Sequence, residues 1–330
     1  MNESTSINQN KIIEIIKQET AQALPLTVII NAASGTSDKE DERQILVDFF
    51  AEKGIEAQIN LARSGTEIVQ MAKSAARGDS QTIVAGGGDG TISAVAAELV
   101  GTDKTLGVLP LGTLNHFAKD LNIPLDIKEA AQIISAGHVV SVDVGDVNGQ
   151  VFINNSSLGL YPDIVRRREQ RQRLGYGKWN SLLRSAFKVF NRYPFLDIRL
   201  NADDQKINTR TPFVFVGNNE YEMESFNIGG RTCLNGGHLS LYMTPHTGRF
   251  GLLRMALGAL FGKLSQEKDF VSLCIDEIQI ESRRKQLRVA TDGEVTMMET
   301  PLQYRIRKGA LRVIVPAPTE NENNENVEKE

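Results

Sequence analysis

The rhythm of hydrophobic and polar positions changes near residue 139. Between residues 26 and 110, short β-branched runs alternate with segments of helical periodicity. The runs at 27–31, 57–61, 81–85 and 105–110 have strand length and are bounded by small or polar residues. Between them, 42–53 repeats apolar residues at Ile45, Leu46, Phe49 and Phe50, and Gly54 closes the repeat. Residues 66–76 and 92–99 read as two more helices. This alternation predicts a parallel sheet with helices on its faces. From Val139 the runs are short, alternating and turn-rich: 139–144, 151–156, 196–201, 212–216, 239–242, 271–281 and 286–290, with a last strand at 311–316. That pattern predicts antiparallel β-structure, interrupted by a helical insert at 162–191.

The expected fold is therefore α/β with two domains. An α/β domain with a parallel sheet covers 25–138, and a β-rich, sandwich-like domain covers 139–310. The final strand at 311–316 is expected to return to the first domain. Residues 1–24 read as a helical extension that Pro25 ends. Residues 317–330 are low-complexity and acidic, and the expectation there is disorder.

Charge refines this picture. The net charge of −4 sits in the tail, since residues 318–330 hold five Glu and one Lys and residues 1–317 sum to zero. In contrast, 163–188 holds eight Lys or Arg against Asp163 and Glu169, a net of +6. Beside those cations lie Trp179, Leu182, Leu183, Ala186, Phe187 and Phe190 at helical spacing. A basic face next to an apolar stripe suits an anionic membrane surface. No aromatic interleaving accompanies the cations, so nucleic acid is not an expected partner. The N-terminus lacks a basic, then apolar, leader. The longest apolar stretch, 250–264, is broken by Arg254 and Lys263, so no span is expected. Two separated cysteines and four scattered histidines form no disulfide framework or metal spacing. The expected setting is the cytoplasm, with peripheral contact to the membrane.

The chemistry gathers in three loops. Gly86-Gly87-Gly88-Asp89-Gly90-Thr91 follows a predicted strand and opens a helix. Glycines let the backbone approach a ligand closely, and the helix N-terminus favours phosphate. The spacing is neither that of a P-loop nor that of the dinucleotide fingerprint. Asn31-Ala32-Ala33-Ser34-Gly35 follows the first strand, and Leu109-Pro110-Leu111-Gly112-Thr113-Leu114-Asn115 follows the fourth. Parallel sheets collect ligands at the carboxyl ends of their strands, so these loops together point to a nucleotide phosphate site.

The ordered set Gly-Gly-Gly-Asp-Gly-Thr, then Leu-Pro-Leu-Gly-Thr-Leu-Asn, resembles the diacylglycerol kinase catalytic-domain family, which includes bacterial lipid kinases and sphingosine kinases. The likeness continues through Val142–Gly145, Phe152–Asn154, Ser157–Gly159, Val216–Asn218, Thr291–Glu294 and Ala310–Pro316, covering residues 25–316. It implies a cleft between the two domains and ATP-dependent phosphorylation of a lipid hydroxyl. By that likeness Asn31, Ser34, Gly35, Gly87, Gly88, Asp89, Gly90, Thr91, Gly112, Thr113 and Asn115 would hold Mg2+–ATP. Glu294 would be the catalytic base, with Asp292 and Asp89 as rivals. Without the likeness, Asp292-Gly293 reads as a hairpin turn.

The chain departs from the family pattern at three places. Ala32 replaces a usual Pro, and His116 replaces a frequent Asp. Gly236 stands where an acid of an Asp-Gly-x-Leu turn would anchor an accessory Mg2+ that braces the two domains. The departures at His116 and Gly236 keep a non-catalytic lipid-binding or regulatory protein open, and the Gly-Gly-Asp-Gly loop, which NAD kinases also carry, keeps open an enzyme similar to them.

Overall fold

The computed structural model describes residues 25–33, 39–159, 195–202, 205–224, 227–231, 233–243 and 271–317. The first half alternates β1 (Leu26–Asn31), α1 (Lys39–Glu52), β2 (Ala57–Ala62), α2 (Gly65–Arg77), β3 (Thr82–Gly87), α3 (Asp89–Leu99) and β4 (Thr105–Pro110). Two short helices follow, α4 (His116–Asp120) and α5 (Ile127–Ala136). Then come β5 (Val139–Val147), β6 (Gln150–Phe152), β7 (Asn155–Gly159), β8 (Leu196–Ala202), β9 (Gln205–Thr211), β10 (Phe213–Asn218), β11 (Tyr221–Glu224) and β12 (Asn227–Arg231). The chain closes with β13 (Leu239–Met243), β14 (Val271–Ile275), β15 (Glu277–Ser282), β16 (Gln286–Thr291), β17 (Glu294–Glu299) and β18 (Leu302–Ile314).

The fold has an α/β half with a mostly parallel sheet and a β-sandwich-like second half. Strands β2, β1, β3 and β4 pair in parallel, in that order. The same sheet continues through β18, β15, β8 and β9. Arg312 and Val313 of β18 pair in parallel with Thr105 and Leu106 of β4. Further back along β18, Tyr304 and Arg305 pair antiparallel with Ile278 and Glu277 of β15. Strand β5 runs along the opposite edge of β18 for nearly its whole length. The β5–β18 ribbon thus belongs to both halves. The second sheet, β14-β13-β10-β7-β16-β17, covers the second half.

Two hydrophobic cores follow from this arrangement. One lies under the parallel strands and takes in Leu311 and Val313 of β18. The other lies between the two sheets and includes Phe152, Leu158, Val216, Leu241, Val289 and Tyr304. Burying side chains of this size contributes about 1.5–3 kcal/mol each, an upper estimate against an extended chain.

Local chemistry explains most boundaries. Helix α2 starts at Ser64, whose hydroxyl accepts from the Glu67 N–H at 3.2 Å. Helix α5, absent from the sequence reading, starts at Asp126, whose carboxylate accepts from Lys128 and Glu129 N–H groups. It ends at Gly137 with φ +70. Two expected strands are each two strands. Residues 151–156 divide into β6 and β7, and 271–281 divides at Asp276 into β14 and β15, with each partner in a different sheet. Alternation shows no such division, because the strand changes its hydrogen-bonding neighbours without changing its side-chain rhythm. The expected insert at 162–191, the extension at 1–24 and the acidic tail from 318 lie outside the described residues. Among those described, no helix is long and apolar enough to cross a membrane.

Candidate functional site

Three loops meet at the carboxyl ends of β1, β3 and β4. Asn31 ends β1, and its amide donates to the Thr91 hydroxyl at 3.0 Å. Its Oδ1 accepts from the Ala33 N–H at 2.9 Å, which turns the chain away from the sheet. Leu111 donates its N–H to the Gly87 carbonyl at 3.0 Å, joining the β3 and β4 loops. The approach is so close that glycine is required at two positions. A Cβ on Gly112 would fall 2.3 Å from the Gly88 Cα, and one on Gly87 would fall 2.5 Å from the Thr91 hydroxyl oxygen. Gly88 caps α3 without a side-chain bond; Thr91 N–H turns back to the Gly88 carbonyl at 2.9 Å, and the Asp89 and Gly90 N–H groups are left without an intrahelical partner. Gly90 faces open space, with nothing within 4 Å of a Cβ placed there. Open space, the N–H groups of a helix start and the positive end of its dipole favour an anion.

Several expected ligand residues build this cradle from within. Asn115 is buried at φ +51; its Oδ1 accepts from Gly112 N–H, and its amide donates to the Pro110 and Gly112 carbonyls. Thr91 is buried against Gly87. Asp89 is half-buried, and its Oδ1 accepts from the Phe117 N–H at 3.2 Å, which ties α3 to the start of α4. Thr113 and His116 are exposed. Ser34 and Gly35 lie outside the described residues.

The Asp292-Gly293 turn joins the cradle from the second half. Both residues are left-handed, at φ +48 and +89, as a two-residue hairpin between β16 and β17 demands. Although Asp292 as a residue is half-buried, its carboxylate faces inward. Oδ1 accepts from the Asn154 and Asn155 N–H groups at 2.8 and 3.0 Å, and Oδ2 accepts from the Ile153 N–H at 2.8 Å. The Ser93 hydroxyl of α3 also donates to Oδ2. These bonds explain the break between β6 and β7, since the N–H groups of 153–155 serve the Asp292 carboxylate. Burial pushes the Asp292 carboxyl above the ordinary aspartate range, opposed first by Ser93 and then by the three backbone donors. Glu294 opens β17 directly after the turn and is exposed.

Two further buried groups join the halves. The Arg231 side chain of β12 is fully buried, and its Nε donates to Asp120 Oδ2 of α4 at 2.8 Å. Its Nη1 donates to the Ile153 carbonyl and its Nη2 to Asn154 Oδ1. Asp143 of β5 is also buried; its two oxygens accept from the Gly237 and Gly309 N–H groups at 2.7 and 2.8 Å. The accessory Mg2+ does not fit this surrounding. Both Asp143 oxygens already accept backbone bonds, and a side chain at Gly236 would meet Cys233 Sγ at 2.8 Å and Asn219 Oδ1 at 3.0 Å.

The sequence reading missed Ser93, Asp120 and Arg231. Each gains its role from a partner far along the chain, 199 residues away for Ser93 and 111 for Arg231, and no spacing rule reaches that far. A cavity of about 490 Å3 beside the Arg283-Arg284-Lys285 turn is lined by none of the site residues.

This site and fold carry a family assignment. Residues 25–147 match the diacylglycerol kinase catalytic domain, and residues 163–315 match the YegS C-terminal NAD kinase beta sandwich-like domain. The chain thus carries a diacylglycerol kinase catalytic domain followed by a YegS C-terminal sandwich-like domain. Among curated relatives, it is 36% identical over 141 residues to a diacylglycerol kinase of Bacillus subtilis (strain 168), covering 42% of this chain and 46% of that protein. It is 30% identical over 159 residues to a protein named "Probable lipid kinase YegS-like" from Klebsiella pneumoniae (strain 342), covering 47% of this chain and 54% of that one. The chain spans about half the length of these curated relatives. Its fold also resembles the crystal structure of a diacylglycerol kinase from Bacillus anthracis str. Sterne. That match has a TM-score of 0.64 and 22% identity, and covers 89% of this chain and 97% of the other. At that identity the likeness is one of fold.

Proposed function

We propose that this protein is a lipid kinase that transfers the γ-phosphoryl group of ATP to a lipid hydroxyl. The observation that carries the reading is the cradle at the ends of β1, β3 and β4, together with the Glu294 turn, which Asp292 ties to the same helix α3 through Ser93. Phosphoryl transfer depends mainly on positioning and charge neutralisation. The Asp89 and Gly90 N–H groups at the start of α3 would hold the phosphates. Asp89 is the acid nearest that helix start and would face the Mg2+ carried in with ATP, which supplies charge neutralisation on the phosphate oxygens. Glu294 would accept the proton of the attacking hydroxyl. Asp292 suits that task less, because its carboxylate already accepts four hydrogen bonds. The basic 163–188 segment would bring the protein to an anionic membrane surface, where its substrate resides.

The test is γ-labelled ATP incubated with total lipid extract, with NAD, or with neither. Label in the organic phase is the expected result. Label appearing only in NADP would make the enzyme a NAD kinase. Lipid binding without turnover would leave a non-catalytic lipid-binding protein on this scaffold.

A further inference from the structure

Arg231 closes a ring of contacts that begins and ends on α3. At the first turn of that helix, Asp89 accepts from the Phe117 N–H of α4. At the other end of α4, Asp120 pairs with Arg231. Arg231 reaches on to the Ile153 carbonyl and Asn154 Oδ1, at 2.6 and 3.2 Å. The N–H groups of Ile153, Asn154 and Asn155 hold Asp292, and Asp292 accepts from Ser93, one turn along α3. The Phe117 and Tyr221 rings lie 5.6 and 6.0 Å from the guanidinium carbon and shield the pair from water. The guanidinium uses three separate nitrogens on three acceptors, a geometry that the single ammonium of lysine cannot reproduce.

We propose that the buried Asp120–Arg231 pair is the brace between the two halves, and that Arg231 is a positioning residue for the Asp292–Glu294 turn. Asp120 fixes the guanidinium on the nucleotide side. The guanidinium then fixes the 153–154 peptide by its carbonyl, along with the Asn154 side chain, and the N–H of that same peptide donates to the Asp292 carboxylate. Movement of α4 therefore reaches the turn through rigid hydrogen-bonded groups. The consequence for turnover rests on the kinase reading; the brace itself does not.

The test uses Arg231→Lys and Asp120→Asn in the full chain, read by amide hydrogen exchange and by kinetics with diacylglycerol in mixed micelles. In both variants the 153–155 amides should exchange about tenfold faster or more, while β1 and β3 amides stay within about twofold of wild type. The kcat should fall about tenfold or more, with KM for ATP within about threefold. Unchanged exchange at 153–155 would overturn the brace. Equal loss of protection in β1 and β3 would also overturn it, because the pair would then be a general stabiliser. Faster exchange at 153–155 with undiminished kcat would remove the positioning role. If wild-type protein does not phosphorylate diacylglycerol, that acceptor fails on its own, and the exchange pattern still decides the brace.

Discussion

Asp292 and Glu294 are two residues apart and have opposite surroundings. The Asp292 carboxylate is enclosed by Ser93 and three backbone donors, whereas Glu294 is exposed at the start of β17. A carboxylate that must collect a proton from an incoming hydroxyl needs access, which favours Glu294. Glu294→Gln should lower turnover about 100-fold or more and leave nucleotide affinity within about twofold, measured with a fluorescent ATP analogue. A variant that kept its rate would move the base elsewhere. Tyr304 makes a prediction in the alkaline range. It is fully buried, its hydroxyl pairs with Ser156 at 3.0 Å, and burial holds its phenol above the ordinary tyrosine range. A folded pKa above the unfolded value means that this stabilisation is complete below pH about 10 and is lost as pH rises past it. The urea midpoint should therefore decline above that pH. Tyr304→Phe should flatten the decline and cost about 1 kcal/mol at neutral pH through the lost bond to Ser156. An unaltered decline would assign it to other groups.

At the scale of elements, the glycine loop works by contact between loops. Gly88 and Gly112 touch backbone to backbone, and Leu111 closes onto Gly87. Gly112→Ala should force the β3 and β4 loops apart and cost about 1–3 kcal/mol, read as a lower urea midpoint. Gly90→Ala is the informative contrast, since its methyl group enters open space in the first turn of α3. It should leave stability equal or higher by up to about 1 kcal/mol, yet weaken binding of the ATP analogue. Unchanged affinity would place the phosphates away from this turn. The strands and helices between residues 26 and 110 were legible because each carries its own period, whereas α5 was not read. The divisions at Ile153-Asn154 and Asp276 were not, because they depend on partners elsewhere. The N–H groups of 153–155 leave the strand ladder for a carboxylate more than 130 residues away.

At the scale of the whole molecule, the β5–β18 ribbon and the Asp120–Arg231 pair carry the connection between halves. Strand β18 has β4 and then β15 along one edge and β5 along the other, so the two cores share one continuous sheet. Removing one member of a buried ion pair leaves the other charge without compensation, and at Asp120–Arg231 that loss should appear as local opening around 153–155. Charge makes a separate prediction about location. Residues 163–188 carry +6 within a body of zero net charge. Vesicles containing anionic lipid should retain the protein at low salt and release it as ionic strength rises, since the Debye length shrinks to about 8 Å at 0.15 M. Retention by neutral vesicles to the same extent would remove the electrostatic role.

The sequence by itself determined the alternating parallel half, the three loops and the likeness of residues 25–147 to a diacylglycerol kinase catalytic domain, because those features are written within a few residues of one another. A helical period, a glycine cluster or an Asp-Gly turn needs no distant partner to be recognised. Only the tertiary structure decided what the side chains do. It turned Asn115 and Thr91 into supports of the cradle, enclosed Asp292, and paired Arg231 with Asp120 across 111 residues of chain. Burial is the physical reason. A hydrogen bond or ion pair gains its meaning from the water it loses, and which groups lose water is settled only when distant segments close over them.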